Sequence, residues 1–264
     1  MARWITGIIL AIAAVFLLLY APPTYLKILV CALSLIGAWE FFSITIPERL
    51  SVKIIGLILV GFGLSIVIYC QEAKALLFFI YVVMFLSFCI QFPGPVATPE
   101  KMRQTAFFVL GLFYCCFLFG ILALMTDLPQ YKYFLFLTLA CTHGADTGAY
   151  VVGKNFGKNK LAPLLSPGKT REGGYGSVLG SILGAILVTV LFQVTVNWWL
   201  VLGIGAALGV IGLLGDLAES LLKRGFGVKD SGKLIPGHGG ILDRFDSLLF
   251  TSPFVYFVAP YFQF

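Results

Sequence analysis

The chain contains nine runs of mostly apolar residues, and each run is about as long as a helix that crosses a membrane. A helix needs about 20 apolar residues to span the hydrocarbon core of a bilayer. Polar or Pro-containing segments separate the runs, so we predict nine transmembrane helices. They cover Ile5–Tyr20, Leu26–Phe42, Ile54–Cys70, Ala75–Ile90, Thr105–Met125, Tyr133–Val152, Gly176–Val194, Trp198–Leu222 and Ile241–Phe262.

The predicted fold class is all-α, a polytopic integral membrane protein of about nine transmembrane helices. Of the 264 residues, 59% are hydrophobic and 11% are charged, whereas soluble domains have about 45–50% and about 25%. So few polar side chains cannot cover a water-facing exterior. The composition therefore excludes soluble, nucleic-acid-binding and disordered proteins, in spite of the net charge of +6.

The Lys and Arg residues orient this topology. With nine spans, the N-terminus and every second connection lie on one side, and all but three of the 18 Lys and Arg residues fall there. The exceptions are Lys27, Lys74 and Lys132. Because positively charged loops stay in the cytoplasm, we expect a cytoplasmic N-terminus. The first run is favoured as a retained helix over a signal peptide, since no small-residue cleavage pattern follows it.

The two halves of the chain are expected to do different work. Residues 1–130 are predicted to be a scaffold of transmembrane helices, and residues 131–264 a catalytic region with cytoplasmic loops. In the scaffold, Glu40 beside Trp39 is interpreted as snorkelling to the membrane interface. The six cysteines lie in apolar runs without C-x-x-C spacing, so we predict reduced packing residues.

Regularly spaced glycines in the seventh and eighth runs predict close helix packing. Such strips serve equally well within one chain or between two copies, so a homodimer is left open. The two sets are Gly176, Gly180 and Gly184, and Gly205, Gly209 and Gly212.

Most of the 12 acidic residues and both histidines lie between residues 143 and 246. At the ends of three predicted helices, polar residues are spaced three and four positions apart, which places them on one face of each helix. All three helix ends are predicted to lie on the cytoplasmic side. The faces comprise His143, Asp146 and Tyr150 in the sixth run, Asp216, Glu219, Ser220 and Lys223 in the eighth, and Asp243 and Asp246 in the ninth.

Carboxylates that converge at one depth repel each other unless a cation neutralises them. Oxygen ligands without Cys or clustered His favour Mg²⁺, with Mn²⁺ as the alternative. The competing interpretation is ion pairing with Lys223, Arg224 or Arg244, which would also satisfy these charges.

The loops beside these helices combine Gly, Pro, Ser and Lys. They cover residues 153–174 and 223–240. Glycine lets backbone N–H groups approach an anion, and lysine adds point charges, so both loops suit phosphate oxygens. The alternative is a basic loop that only touches anionic lipid headgroups. A metal beside a basic loop is typical of phosphoryl and nucleotidyl transfer.

At these residues the chain closely resembles the phosphatidate cytidylyltransferases, also called CDP-diacylglycerol synthases. The signature matches Ser220-Leu221-Leu222-Lys223-Arg224, Lys229-Asp230-Ser231-Gly232 and Leu234-Ile235-Pro236-Gly237-His238-Gly239-Gly240-Ile241-Leu242-Asp243-Arg244-Phe245-Asp246. A second similar segment comprises Asp146 through Tyr150, Gly153, Phe156-Gly157, Pro163, Ser166-Pro167, Lys169 and Glu172-Gly173. The first half is similar only in its hydrophobic helices.

The resemblance implies an integral membrane enzyme of phospholipid biosynthesis. It would transfer CMP from CTP to phosphatidic acid with Mg²⁺, giving CDP-diacylglycerol and pyrophosphate. Its expected partners are CTP, phosphatidic acid and membrane lipid, with no nucleic acid. A bacterial-type inner membrane with the active site facing the cytoplasm is expected, and a role for a monovalent cation is left open.

Residue roles are likewise implied by the resemblance. Asp216 and Asp243 are the first metal-ligand candidates, with Asp146 and Asp246 beside them. The catalytic candidates are Asp216, Asp243, Asp246, Lys223, Arg224 and His238. The substrate-binding candidates are Lys169, Ser166, Ser220, Lys229, Asp230, Gly239 and Gly240. His238 either donates to pyrophosphate or stabilises its Gly-rich turn.

Two alternatives remain at this stage. A cytidylyltransferase acting on an isoprenoid lipid would use the same chemistry, and the first half does not distinguish acyl from isoprenoid chains. An ion-coupled transporter would place acids along a cation path. Here, however, the acids cluster at helix ends beside phosphate-type loops, rather than at mid-membrane on broken helices.

Overall fold

The computed structural model describes residues 12–92, 98–234 and 239–262, and these residues are mainly helical. Residues 12–20 are helical, whereas the start of the first predicted run lies outside the described residues. The helices that follow are α1 (Pro23–Thr45), α2 (Leu50–Ser65), α3 (Ala73–Cys89), α4 (Pro99–Phe113), α5 (Phe119–Leu124), α6 (Tyr131–Phe156), α7 (Arg171–Leu191), α8 (Trp198–Gly225) and α9 (Leu242–Val258). Short π and 3₁₀ turns extend them at Ile66–Cys70, Tyr114–Leu118, Met125–Asp127 and Ala259–Tyr261.

The predicted all-α membrane class is confirmed. Among the described residues, five helical stretches are long and apolar enough to cross a membrane, and Ala73–Cys89 is a shorter apolar helix. The count of nine spans is not confirmed and stays a prediction. The five stretches are Pro23–Thr45, Leu50–Cys70, Pro99–Asp127, Arg171–Leu191 and Trp198–Gly225.

A small β-hairpin interrupts the helices between α6 and α7. Strand β1 (Lys160–Ala162) pairs antiparallel with β2 (Ser166–Thr170), so that Lys160 lies opposite Thr170. The sequence predicts only a basic loop for this segment. The hairpin gives Lys169 a defined place on a strand.

The chain divides into two compact units. The polar unit comprises Met1–Pro23, Met125–Lys229 and Arg244–Phe264, and the aromatic unit comprises Thr24–Leu124 and Asp230–Asp243. Of the described residues, 230–234 and 239–243 thus belong with α1 to α5. The predicted division at residue 130 concerned scaffold and catalytic roles, and it stays a prediction.

In the polar unit, helices pack backbone to backbone through glycine. A Cβ on Gly148 of α6 would collide with the carbonyl oxygen of Gly176 in α7, and one on Gly180 would collide with that of Gly144. On the other face of α7, the Ser177 hydroxyl donates to the Gly209 carbonyl oxygen of α8 at 3.0 Å. The predicted glycine packing is confirmed, and the neighbouring helices belong to the same chain.

In the aromatic unit, phenylalanine rings fill the space beside glycines. Phe41 and Phe42 are fully buried, and the Phe42 and Phe108 rings stack with centroids 5.5 Å apart. A Cβ on Gly111 would collide with the rings of Phe41 and Phe42. All six cysteines are free. Cys115, Cys116 and, in the polar unit, Cys141 are buried, as expected for packing residues, whereas Cys31 and Cys89 are half-buried and Cys70 is exposed.

Candidate functional site

Charged side chains from α6, β2, α8 and α9 form a cluster in the polar unit. Lys169 Nζ lies 2.7 Å from Asp216 Oδ2, and the two side chains are 20% and 30% exposed. The carboxylates of Asp146 and Asp246 lie near enough to feel the charge of Asp216, and Asp146 also feels Lys169. The structure therefore brings together three of the four predicted metal ligands with one predicted phosphate-binding lysine.

Local structure holds Lys169 in place from both sides. The neighbouring Thr170 caps the N-terminus of α7, and its hydroxyl accepts the backbone N–H of Gly173 at 3.0 Å. The Glu172 carboxylate accepts the backbone N–H groups of Lys158 and Asn159, which ties the entrance of the hairpin to the first turn of α7. These contacts fix the strand that carries Lys169 against the start of the helix.

Close packing of α8 and α9 brings Asp216 and Asp246 together. A Cβ on Gly215 would approach the backbone oxygen of Asp246 and the ring of Phe250, so only glycine fits there without a shift. Asp216 follows directly, and the hydroxyl of Ser220 donates to its Oδ1 at 3.4 Å. Ser220 therefore lies on the carboxylate face that its spacing predicts.

The last turns of α8 carry the predicted basic residues. Lys223 Nζ lies 3.0 Å from Oε2 of Glu219, whose side chain is 1% exposed. Gly227 has φ +72°, its N–H donates to the Arg224 carbonyl oxygen, and the Val228 N–H donates to that of Lys223. This pattern is a Schellman motif, which ends the helix and leaves Lys223 and Arg224 near its negative pole.

The donor set fits Mg²⁺ in its chemistry, because carboxylate oxygens are the ligands this ion prefers. Within the described residues, however, no group of three or more His, Cys, Asp or Glu side chains lies close enough together to hold a metal ion. Lys169 supplies the neutralising charge beside Asp216 instead. Ion pairing, the competing interpretation, is thus present at two acids. Glu219 pairs with Lys223, as predicted, and Asp216 pairs with Lys169, which was not among the predicted partners.

The fourth predicted metal ligand, Asp243, lies in the aromatic unit. Its Oδ2 accepts the backbone N–H of Ser231 at 2.7 Å, the Ser231 hydroxyl at 2.9 Å and the backbone N–H of Gly240 at 2.8 Å. Gly239 has φ +83°, where a side chain would be strained and would also approach Asp243. In this structure Gly239 and Gly240 shape the surroundings of Asp243.

The interpretation of Glu40 as a snorkelling residue is wrong. Its side chain is buried, at 6% exposure, and its carboxylate accepts the backbone N–H groups of Ile241 and Leu242 and the hydroxyl of Ser231. A buried carboxylate is stable only when such donors replace water. Because these partners lie far along the chain, the neighbouring Trp39 wrongly suggested a position at the membrane interface.

The remaining predicted site residues belong to the hairpin, to the end of α8 and to the segment that follows it along the chain. Ser166 begins β2 opposite Ala162 and is half-buried. Arg224 is exposed and donates to the Val228 carbonyl oxygen at 3.1 Å. Lys229 and Asp230 are exposed, and His238 lies outside the described residues.

Sequence reasoning missed three residues that shape these surroundings: Glu40, Thr170 and Glu172. For Thr170 a signal existed, because Thr is a preferred N-cap residue and Thr170 stands shortly before the seventh apolar run. Glu172 stood in the matched motif without an assigned role. Glu40 carried only the signal of an acid inside an apolar run.

Comparison with known proteins gives concordant matches. Residues 1–262 match the model of the Cytidylyltransferase family. The chain is 32% identical to "Phosphatidate cytidylyltransferase" of Bacillus subtilis (strain 168), over 99% of this chain and 98% of that protein. It is 48% identical to the protein of that name from Staphylococcus epidermidis, over 47% of this chain and 46% of the relative. A Staphylococcus aureus protein of that name is 50% identical over 41% of this chain and 42% of its own length.

Proposed function

The chain belongs to the Cytidylyltransferase family, and on this premise we propose that it transfers CMP from CTP to phosphatidic acid. The products are CDP-diacylglycerol and pyrophosphate. The full-length similarity to a bacterial protein named phosphatidate cytidylyltransferase supports this choice of substrates. The observation that carries the chemistry is the cluster of Asp146, Lys169, Asp216 and Asp246 beside the basic end of α8.

The reaction needs charge neutralisation and alignment more than proton transfer. An oxygen of the phosphatidate phosphate attacks the α-phosphorus of CTP and forms a new P–O bond. The bond from the α-phosphorus to the oxygen that bridges to the β-phosphate breaks, and pyrophosphate leaves with the electron pair. The attacking phosphate is already ionised, so this step requires no general base.

Lysines of the polar unit are suited to hold the phosphates. The Lys169 side chain is 20% exposed, its ammonium nitrogen is buried beside Asp216, and it lies on a strand whose position is fixed by the Thr170 cap. Lys223 lies at the end of α8, paired with Glu219. Charged donors fixed in this way stabilise the negative charge that gathers as the phosphates meet.

A Mg²⁺ ion is part of the proposal, with Mn²⁺ as the substitute. Asp146, Asp216 and Asp246 would hold it after their carboxylates moved closer together than they are among the described residues. The assignment of Asp243 to the same ligand set stays a sequence-based prediction. When bound, the ion would neutralise phosphate oxygens and orient the attacking and leaving oxygens. Lys169 would then exchange the Asp216 carboxylate for a phosphate group.

We also propose that this site faces the cytoplasm of a bacterial cell. The support is the positive charge of the predicted cytoplasmic loops and the need for CTP, a water-soluble nucleotide, to reach it. The glycine strips give no argument for a homodimer, because helices of the same chain fill them.

The decisive experiment uses the purified chain in detergent with labelled CTP, Mg²⁺ and phosphatidic acid. Pyrophosphate release and a labelled lipid product that both require phosphatidic acid are expected. Activity with an isoprenoid phosphate but not with phosphatidic acid would overturn the choice of lipid. Metal-dependent ion flux in vesicles without pyrophosphate release would overturn the enzymatic proposal.

A further inference from the structure

Glu40 is an acid in an otherwise apolar stretch of the aromatic unit. It lies near the end of α1, between Trp39 and the fully buried Phe41 and Phe42. A carboxylate in such surroundings loses its hydration, which is costly unless protein donors replace it. Its retention at this position therefore requires specific partners.

Those partners are at the start of α9. Glu40 Oε1 accepts the Ile241 N–H at 3.0 Å, and Oε2 accepts the Leu242 N–H at 3.0 Å. The first N–H groups of a helix have no partner within the helix, and the helix dipole makes them attractive to an anion. Glu40 thus caps α9 from a distant part of the sequence.

The third donor links Glu40 to Asp243. Ser231 Oγ lies 3.0 Å from Glu40 Oε2 and 2.9 Å from Asp243 Oδ2. A hydroxyl has one proton to donate, so it serves one carboxylate at a time and joins the two as a bridge. The Ser231 backbone N–H donates to Asp243 as well. Glu40 therefore anchors Ser231, and Ser231 in turn donates to Asp243.

Glycines make this arrangement possible. A Cβ on Gly232 would collide with the Glu40 carboxylate, and a Cβ on Gly240 would collide with the Ser231 hydroxyl and with Glu40. The backbone consequently approaches the carboxylate closely on two sides. Such contact leaves Glu40 little freedom to move.

We propose that Glu40 is the positioning residue for Asp243, which it fixes by capping α9 and by anchoring Ser231. The proposal rests on the proposed function in so far as Asp243 acts in CMP transfer. In this role Glu40 acts through Asp243 and the start of α9, and its side chain is buried at 6% exposure. It is the N-terminal half of the chain, assigned only to a scaffold by its sequence, that contributes this residue.

The chemistry of the pocket demands a carboxylate. Two carboxylate oxygens accept two backbone N–H groups and a hydroxyl. In Glu40→Gln, one oxygen is replaced by an NH₂ group, which would face a backbone N–H donor and leave that donor unsatisfied. The variant keeps the size of the side chain and removes one acceptor.

Hydrogen exchange tests the anchoring without reference to catalysis. In Glu40→Gln, the amides of residues 239–243 should exchange faster than in the wild type, while the amides of α6 and α7 keep their protection. The matched control is Glu72→Gln, an exposed acid before α3 whose side chain makes no cap hydrogen bond. Unchanged exchange at residues 239–243 in Glu40→Gln would overturn the proposal.

Kinetics test the consequence for Asp243. Glu40→Gln should lower kcat by up to about 100-fold, because small displacements of a catalytic group have effects of this size. The KM for CTP should stay near that of the wild type. A raised KM with unchanged kcat would overturn the positioning role. Absence of CMP transfer in the wild type would defeat the proposed function alone, since the exchange result is independent of it.

A second variant covers the case in which Glu40→Gln does not fold. Ser231→Ala removes the bridging hydroxyl and should lower kcat in the same direction. Unchanged kcat in Ser231→Ala would by itself overturn the bridge. Where Glu40→Gln folds, the two losses should not add in the double variant, because residues that act through one network are coupled. Fully additive losses would show that Glu40 and Ser231 act independently and would overturn the bridge.

Discussion

The acids of the two units are neutralised by different kinds of partner. In the polar unit, lysine ammonium groups lie beside Asp216 and Glu219. In the aromatic unit, backbone N–H groups and the Ser231 hydroxyl surround Glu40 and Asp243. An ammonium on a flexible side chain exchanges its partner readily, whereas a backbone N–H moves only with the chain. The first arrangement suits binding and release, and the second suits fixed positioning.

The two units also use glycine differently. In α6 and α7 of the polar unit, glycines admit a neighbouring backbone, as at Gly148 and Gly180. In the aromatic unit, Gly56 and Gly111 admit phenylalanine rings. A ring can shift by rotating its side chain, but a backbone contact gives way only if a helix moves. The helices that carry the charged cluster should therefore tolerate added side-chain atoms at their glycine contacts less well than the helices of the aromatic unit.

The largest effect is expected from Asp216→Asn. The substitution removes a carboxylate charge that is proposed to hold Mg²⁺ and that positions Lys169, so turnover should fall about 10²–10³-fold, as when a preorganised electrostatic group is lost. The melting temperature in detergent should change little, because both side chains reach water. Labelled-CTP turnover and thermal unfolding measure the two quantities. Wild-type turnover in Asp216→Asn, with Glu72→Gln as the control, would contradict the assignment.

Lys169→Met should act on substrate binding. It removes a charged donor for phosphate, and such hydrogen bonds contribute about 1.5–3 kcal/mol. The KM for CTP or for phosphatidic acid should therefore rise about tenfold or more. Lys160→Met is the matched control, since Lys160 is an exposed lysine of the same hairpin. Equal KM values in the two variants would assign Lys169 to structure alone.

Gly180→Ala tests the backbone packing of the polar unit. The added methyl group would collide with the Gly144 carbonyl oxygen, and overpacking of this kind costs about 1–3 kcal/mol. The melting temperature in detergent should fall. Gly203→Ala in α8 provides the control, because a Cβ there meets nothing within 4 Å. If both variants melt together, the glycine contact contributes nothing to stability.

The sequence predicts the helical class and the charged face of α8, for a physical reason. Apolar runs long enough to span a bilayer have few alternatives to helix, and spacing of three and four residues sets a face. The contacts from Asp216 to Ser220 and from Glu219 to Lys223 follow from that spacing.

Contacts between distant segments could not be predicted in this way. The Lys169–Asp216 pair depends on a hairpin whose strands are three and five residues long and include Pro167 and Gly168, so they carry no alternating pattern. The partners of Glu40 lie 191 to 202 positions along the chain. Local sequence shows that such an acid needs donors, but only the fold shows where they are.

The smallest effect on melting temperature and KM is expected from replacing a threonine that caps a helix, and each unit contains one such threonine. Thr170 is buried and caps α7, whereas Thr98 is exposed and its hydroxyl accepts the Lys101 N–H at 3.3 Å at the start of α4. Loss of a cap costs about 0.5–2 kcal/mol. Water can satisfy the N–H freed in Thr98→Val but reaches the Gly173 N–H less easily, so Thr170→Val should melt at the lower temperature. Thr170→Val should also raise the KM that Lys169→Met raises, because the cap fixes the neighbouring lysine. Thr98→Val should leave that KM unchanged. A KM shift in both variants, or in neither, would show that the cap of α7 does not transmit to the charged cluster.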